Sequence, residues 1–355
     1  MGVASVERIA LRNLDSPQSF SAQRSWIPAL FTLTLSLFVS RPTAAELPST
    51  EQTKVILVVG APGEAEFGSN FVRQASSWQK ACTTNCKVTT IGLETNQFSD
   101  YDQLKKSLEA EPPEGAAALW LVLIGHGTFD GKEARFNLRG PDVSATELAQ
   151  WLKPFHRPLA VIDTSSSSAP FLNKLSATNR VIITATRSGN EQNLTRFGQY
   201  LAETLDNPEA DLDKDGSISL LESFLMASRK TAEFYKAEGR LATEHALLDD
   251  NGDAMGTPAD WFRGLRALKK PKENAAVDGL LAQQFCLKPA ITDQNLTAQE
   301  VARRNALERA VLLHREKKEK MPEEAYYTEL EKLLLALAKS YETSSNAVSK
   351  PTGAK

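Results

Sequence analysis

The chain has 355 residues, with 41 Lys and Arg against 44 Asp and Glu for a formal net charge of -3. That balance excludes a strongly cationic binder of nucleic acid or anionic membrane. Hydrophobic content of 41% with 24% charged residues excludes a mostly disordered chain and a polytopic membrane protein.

Arg24 precedes an apolar run, WIPALFTLTLSLFV over 26–39, and small residues Thr43, Ala44 and Ala45 follow. A charged flank, a short apolar stretch and a small-residue cleavage site read as a signal peptide over residues 1–45. The run is about 14 residues long and holds Pro28, whereas a spanning helix needs about 20. Cleavage after Ala45 and export to a periplasm, cell envelope or exterior are therefore expected, with no stable membrane span left; retention as an uncleaved anchor is the alternative. The three cysteines are too few for a disulfide scaffold, and Cys82 and Cys86 have no second CxxC or His pair to complete a zinc site. An oxidising compartment permits a Cys82–Cys86 bridge without requiring one, so bridge and free thiols both remain open, with Cys286 single.

From Lys54 short apolar strands alternate with amphipathic segments, which predicts an α/β domain over 54–268 with a mostly parallel sheet flanked by helices. Strands are expected at 54–59, 87–93 and 119–124, and helices at 64–80 and from Ser99 or Asp100 to the Pro112–Pro113 pair. Residues 134–138 suggest a β excursion, and Ser144 with Glu147 forms a capping-box pattern for a helix ending before Pro154. Strands follow at 159–163 and 181–186, then helices near 197–205 and 220–237. KKPKEN opens a predicted linker over 269–295. Residues 296–343, split by Pro322, read as a helical hairpin or coiled-coil arm with solvated charged faces, and 344–355 as a disordered tail. The arm offers an oligomerisation surface.

Two loops invite a chemical reading. LWLVLI over 119–124 runs into Gly125, His126 and Gly127, and LAVID over 159–163 runs into Thr164 and four serines from Ser165. In an open α/β sheet, ligands bind beyond the carboxyl ends of the strands, so the two loops can face one crevice. On spacing alone, a His beside Gly also fits an ordinary turn, and a Ser run a capping loop.

The segment 119–189 resembles the caspase-like cysteine peptidases, the group of legumain, caspases, gingipain and clostripain, and the resemblance extends over roughly 54–256. It implies that His126 is the proton-transferring imidazole and that the Gly127 N–H faces an oxyanion. Asp163, Thr164 and Ser165 fall where legumain-like sequences carry Glu, Ala and the catalytic Cys, Phe171 matches the following aromatic, and Thr186, Arg187 and Ser188 sit at the specificity pocket. The departure is Ser165. A thiol is drawn to thiolate beside an imidazole, whereas a hydroxyl is far less acidic and needs a well-placed base. The expectation is a pseudopeptidase, a binding module whose His126/Ser165 cleft takes a peptide or protein ligand; the alternative is a hydrolase using a Ser165/His126 dyad.

Asp211, Asp213, Asp215, Gly216, Ser217, Ser219 and Glu222 spell DxDxDGSISxxE, the EF-hand calcium loop. Carboxylates at positions 1, 3 and 5, the carbonyl at 7, a water at 9 and a bidentate carboxylate at 12 supply the oxygens calcium takes. Ile218 is expected to point inward. A second acidic run, Asp249, Asp250, Asn251, Gly252, Asp253, has no Glu at position 12, because that residue is Asp260. It reads as a polar turn or as a weaker calcium site, with Glu244 and His245 placed to orient it. Calcium is the one expected cofactor.

Overall fold

The structure, a computed structural model, describes residues 52–82, 86–94, 97–272, 276–290 and 296–348. The segment read as a signal peptide lies outside them, and among the described residues no helix is long and apolar enough to cross a membrane.

The elements in chain order are β1 (Thr53–Val59), α1 (Ala65–Ala81), β2 (Cys86–Ile91), α2 (Asp100–Glu109), β3 (Leu119–Ile124), β4 (Gly127–Phe129), β5 (Ala134–Phe136), β6 (Val143–Ser144), α3 (Ala145–Leu152), β7 (Leu159–Asp163), α4 (Ala169–Leu175), β8 (Arg180–Thr184), α5 (Phe197–Thr204), α6 (Leu220–Ala237), β9 (Leu247–Asp249), β10 (Thr257–Pro258), β11 (Phe262–Arg263), β12 (Arg266–Ala267), α7 (Ala298–Arg315) and α8 (Glu323–Val348). Seven strands form one sheet in the order β10-β9-β8-β7-β3-β1-β2. The β2 to β8 pairings are parallel, and β9 and β10 add antiparallel. The expected fold class, α/β with a mostly parallel sheet flanked by helices, is the one observed.

Every residue of β3, β7 and β8 is buried, because helices cover both faces, which is why these strands read as unbroken apolar runs rather than alternating ones. One face packs Val55, Leu57, Trp120, Val122 and Ile162 against α1, α5 and α6; the other packs Ile56, Val58, Leu121, Leu123 and Val161 against α2, α3 and α4. The local signals are met in detail. Ser99 caps α2 by accepting from the Asp102 N–H, and Ser144 and Glu147 close the α3 capping box. β2 ends at Ile91 rather than 93, where Gly92 turns the chain at a φ of +88° that favours glycine.

Two expectations need correction. Residues 276–290 are no free linker: Val277, Asp278, Leu281, Ala282, Phe285 and Leu287 are buried, and the Phe285 ring meets Trp120 edge-on at 5.6 Å between centroids. A linker has nothing to hide from water, whereas Leu281, Ala282, Phe285 and Leu287 join the core on the α1, α5 and α6 face of the sheet. The tail also starts later than expected, since α8 runs to Val348; residues 349–355 lie outside the described ones. The expected hairpin of α7 and α8 is present, with His314 stacked on Tyr326 at 4.8 Å and Gln284 donating to the Asn305 carbonyl at 2.6 Å. The sulfurs of Cys82 and Cys86 are joined in a disulfide, which pins the end of α1 to the start of β2.

If residues 276–290 are core, Phe285→Ala should cost about 3–5 kcal/mol of unfolding free energy, the usual toll of emptying a buried aromatic site. Denaturant unfolding checks this; a change within 0.5 kcal/mol, roughly that of a surface substitution, would return the segment to linker status.

Candidate functional site

β3 and β7 are neighbours in register, Leu123 opposite Asp163, so the loops that follow them emerge side by side. The structure thus brings the His126 loop and the Ser165 loop together. A Cβ built on Gly127 would lie 2.2 Å from the Ser166 carbonyl oxygen and 2.8 Å from the Ser165 hydroxyl; only glycine fits against the serine run.

The side chains nonetheless face other partners. Ser165 is fully buried, and its hydroxyl donates to Asp163 Oδ1 at 2.6 Å while its N–H donates to the same oxygen at 3.0 Å. His126 Nε2 lies 3.2 Å from the Pro62 carbonyl oxygen. A carbonyl only accepts, so this nitrogen carries the proton. Phe67 and Phe71 of α1 hold the ring edge-on, each at 5.2 Å between centroids. Among the described residues no hydrogen bond joins His126 to Ser165.

The Gly127 N–H, expected to be available to an oxyanion, is already engaged, since it donates to Ser166 Oγ at 3.2 Å and the same hydroxyl donates to the Gly127 carbonyl at 3.0 Å. Ser166 thus staples the two loops together. The sequence offered no sign of this, because any of four consecutive serines could have been the one that reaches across.

The rest of the serine loop is held through Ser168 and the backbone of Ser167, whose buried hydroxyl has no hydrogen-bond partner. Ser168 and Thr186 share a hydroxyl contact at 3.1 Å, and each hydroxyl accepts an N–H from the other's segment. Ser167 sits at a φ of +56°, a left-handed conformation that costs a non-glycine residue energy and persists only where surroundings enforce it. Its N–H donates to the Glu191 carbonyl. Glu191 in turn accepts from the Arg187 N–H and from His245, whose Nδ1 lies 2.6 Å away. Glu244 accepts from the N–H groups of Arg196 and Phe197 at the start of α5. Glu244 and His245 therefore order the loop after β8, at the edge expected to form a specificity pocket, and not the acidic run at 249–253.

Asp163 is a buried carboxylate with one oxygen, Oδ2, lacking any hydrogen-bond partner. Burial pushes its carboxyl up from 3.8 to about 6, against the opposing pull of the two Ser165 hydrogen bonds.

The acidic loop between α5 and α6 forms a second centre. Oxygens of Asp211, Asp213 and Asp215 all lie within 4.8 Å of one another. Asp211 Oδ2 accepts from the Gly216 N–H at 3.2 Å, and Asp215 Oδ1 from the Ser217 N–H at 2.7 Å. Glu222 reaches back to the Leu212 N–H at 2.6 Å with one oxygen and closes a capping box on Ser219 with the other. Burial first, then the charges of Asp215, Glu222 and Asp211, pushes the Asp213 carboxyl above its ordinary range. Asp211 Oδ1 is buried with no hydrogen-bond partner. Ile218 lines a cavity of about 330 Å³ beside the loop together with Trp120, Leu220 and Leu287. Ser219 bridges to Cys286, and the Leu220 N–H donates to the Phe285 carbonyl at 2.8 Å.

No protein-family model matches the chain, and no curated protein matches it. Solved structures similar to it include the Drosophila initiator caspase Dronc, at 14% identity over 59% of this chain and 83% of that one with a TM-score of 0.38. Caspase-1 from Spodoptera frugiperda is similar at 12% identity over 56% of this chain and 86% of that one, TM-score 0.36. A structural-genomics protein from Geobacter sulfurreducens is similar at 13% identity over 50% and 89%, TM-score 0.35. What His126 and Ser165 can do is decided by their own contacts.

The raised Asp163 carboxyl has a consequence for stability. Its folded value near 6 lies above 3.8, so its contribution is complete below pH 3.8 and is lost as pH rises through 6. Asparagine stays neutral throughout. Between pH 4 and pH 8 the unfolding free energy of Asp163→Asn should gain on wild type by on the order of 2–3 kcal/mol, whatever the constant offset between them. Urea titrations across that range check it, and a pH-independent difference would contradict the buried, ionisable Asp163.

Proposed function

We propose that this protein is an exported calcium-binding protein whose caspase-like domain is a binding module without peptidase activity. The observation that carries the inactive reading is the Ser165 hydroxyl, fully buried and donating to Asp163 rather than to His126. A nucleophile needs a base within hydrogen-bond reach and an N–H aimed where the oxyanion forms. Here the proton on His126 Nε2 faces Pro62, and the Gly127 N–H is spent on Ser166. On this reading the region around the His126 and Ser165 loops would hold a peptide or protein ligand without cleaving it. Export is supported by the apolar segment before Glu46 and by the Cys82–Cys86 disulfide, a bond that persists in oxidising compartments.

Calcium is supported by the donor set of the loop. Asp211, Asp213, Asp215, the Ser217 carbonyl and Glu222 are hard oxygen ligands at EF-hand spacing, with a water at Ser219. The orphaned Asp211 Oδ1 is a buried acceptor still owed a partner, and such groups in native proteins are nearly always satisfied. Bound there, a calcium ion would supply charge neutralisation. The chain's own residues would do the rest: Gly216, at a φ of +88°, turns the loop, and α6 starts at the loop's far end under the Ser219–Glu222 cap. Since the loop pairs with Cys286 rather than with a second EF-hand loop, the ion braces α6 and the 276–290 segment and acts as a structural ion.

Two outcomes are expected. Peptide libraries with Asp, Asn, Arg or Lys before the scissile bond should show no turnover above buffer; turnover lost in both Ser165→Ala and His126→Ala would instead establish the dyad hydrolase. Calcium at a hundredfold excess over Kd should add about 2.7 kcal/mol of stability and raise Tm by several degrees relative to EDTA. Magnesium should do less, and the gain should vanish in Asp211→Ala and Glu222→Gln. Equal melting in EDTA and millimolar calcium would refute the calcium reading.

A further inference from the structure

The acidic run at 249–253 repeats the conformation of the first calcium loop. Counting Asp211 and Asp249 each as position 1, the chain turns left-handed at positions 4 and 6 in both: Lys214 and Gly216 in the first, Gly252 and Ala254 in the second. At position 3 the side-chain oxygen accepts from the N–H of position 5, Asp213 from Asp215 and Asn251 from Asp253. At position 5 it accepts from position 7, Asp215 from Ser217 and Asp253 from Met255. Shared turns of this kind do not by themselves make a site.

The orphaned oxygens are an independent observation. Asp249 is 1% exposed; its Oδ1 accepts from the Gly252 N–H at 3.1 Å, and the Ser176 hydroxyl and the Ala254 N–H also act on the carboxylate, yet its Oδ2 is buried and makes no hydrogen bond. Asp253 Oδ2 is in the same position, buried and unpartnered, and the two are close enough that the Asp253 charge acts on Asp249. Carboxylate oxygens shut away from water with no donor forgo solvation, and the two charges repel each other; a cation held by both carboxylates would relieve both penalties.

We propose that Asp249 and Asp253, with Asn251 Oδ1 and the Met255 carbonyl, form a second calcium site. Hard oxygen donors at positions 1, 3, 5 and 7 suit calcium, and the absence of an acidic side chain at position 3 and of a Glu at position 12 leaves the remaining places to water. With two carboxylates instead of four, the site is the weaker of the pair, with a Kd on the order of 10⁻³ M, at the weak end of calcium modules. The loop is clamped on both sides. Asn173 of α4 donates to the Ala254 carbonyl at 2.8 Å and Ser176 accepts the Ala254 N–H at 3.0 Å. Asp278 accepts the N–H groups of Asp250 and Asn251. The ion therefore fastens α4, which directly follows the serine run, to the 276–290 segment.

The test is calcium stoichiometry by equilibrium dialysis on the full-length chain, with the site read independently of the first. Wild type should bind two ions of unequal affinity. The double variant Asp211→Asn/Glu222→Gln should keep one, at millimolar affinity, and adding Asp253→Asn should abolish it. In the wild-type background Asp253→Asn should reduce the count from two to one while leaving the tighter ion, which keeps the test usable if the double variant does not fold. Asp249→Asn should do the same. A folded double variant that binds no calcium, or a weak site unmoved by both Asp253→Asn and Asp249→Asn, overturns the proposal, and either result leaves the first loop's binding to be judged on its own.

Discussion

A carboxylate walled off from water must be satisfied by whatever lies beside it, and at the end of β7 the group beside Asp163 is Ser165. This single constraint fixes the centre of the molecule. With its hydroxyl and N–H both committed to Asp163, Ser165 is drawn back under Gly127, and Ser166 takes over the contact to the His-Gly loop. Most N–H and hydroxyl groups of the loop are then committed internally, although Asp163 Oδ2 and Ser167 Oγ keep no hydrogen-bond partner. Activated nucleophiles are held in the opposite condition, with a hydrogen bond to a base and an unspent donor waiting for charge to develop.

The remainder of the fold arranges satisfaction of the same kind at its periphery. Buried Asp250 accepts three N–H groups, from Gly279, Leu281 and Ala282, and buried Glu244 takes the start of α5. Segments that also bury apolar side chains, Leu281 and Phe285 in one and Phe197 in the other, are thereby tied down further through single carboxylates. Satisfaction is not complete everywhere: Asp100 and Asp163 each keep a buried oxygen without a donor, and so do Asp211, Asp249 and Asp253 in the two acidic loops. In the acidic loops these oxygens sit among further oxygen donors at EF-hand spacing, and the proposed ions would give them a partner.

How much of this was legible in sequence follows from the range of the interactions. The strands β1, β3 and β7, the Ser99 and Ser144 caps and the break at Pro322 are local signals, and local chemistry decides them. The adjacency of the His126 and Ser165 loops was legible too, because consecutive buried strands in such a sheet become neighbours. Residues 276–290 were not, since Phe285 is core only because Trp120 lies across from it, and a short apolar stretch after KKPKEN has no periodicity to announce that. The choice among the four serines was likewise hidden: the burial of Asp163 and the bareness of Gly127, both tertiary facts, assign Ser165 to one and Ser166 to the other. The roles of Glu191 and His245 depend on a contact 54 residues apart in the chain.

The central claim is that residue 165 is a sealed structural position and not an exposed nucleophile. The most direct measurement is the rate at which iodoacetamide alkylates a cysteine placed there, Ser165→Cys, followed by peptide mapping so that Cys286 is counted separately. A side chain with no exposed surface, bonded to an anionic partner that opposes thiolate formation, should react only as fast as the protein opens, and much more slowly than Cys286. Rapid alkylation in the native protein, outpacing Cys286 and lost in His126→Ala, would mean that the thiol is activated by the imidazole and that the site is a peptidase centre after all.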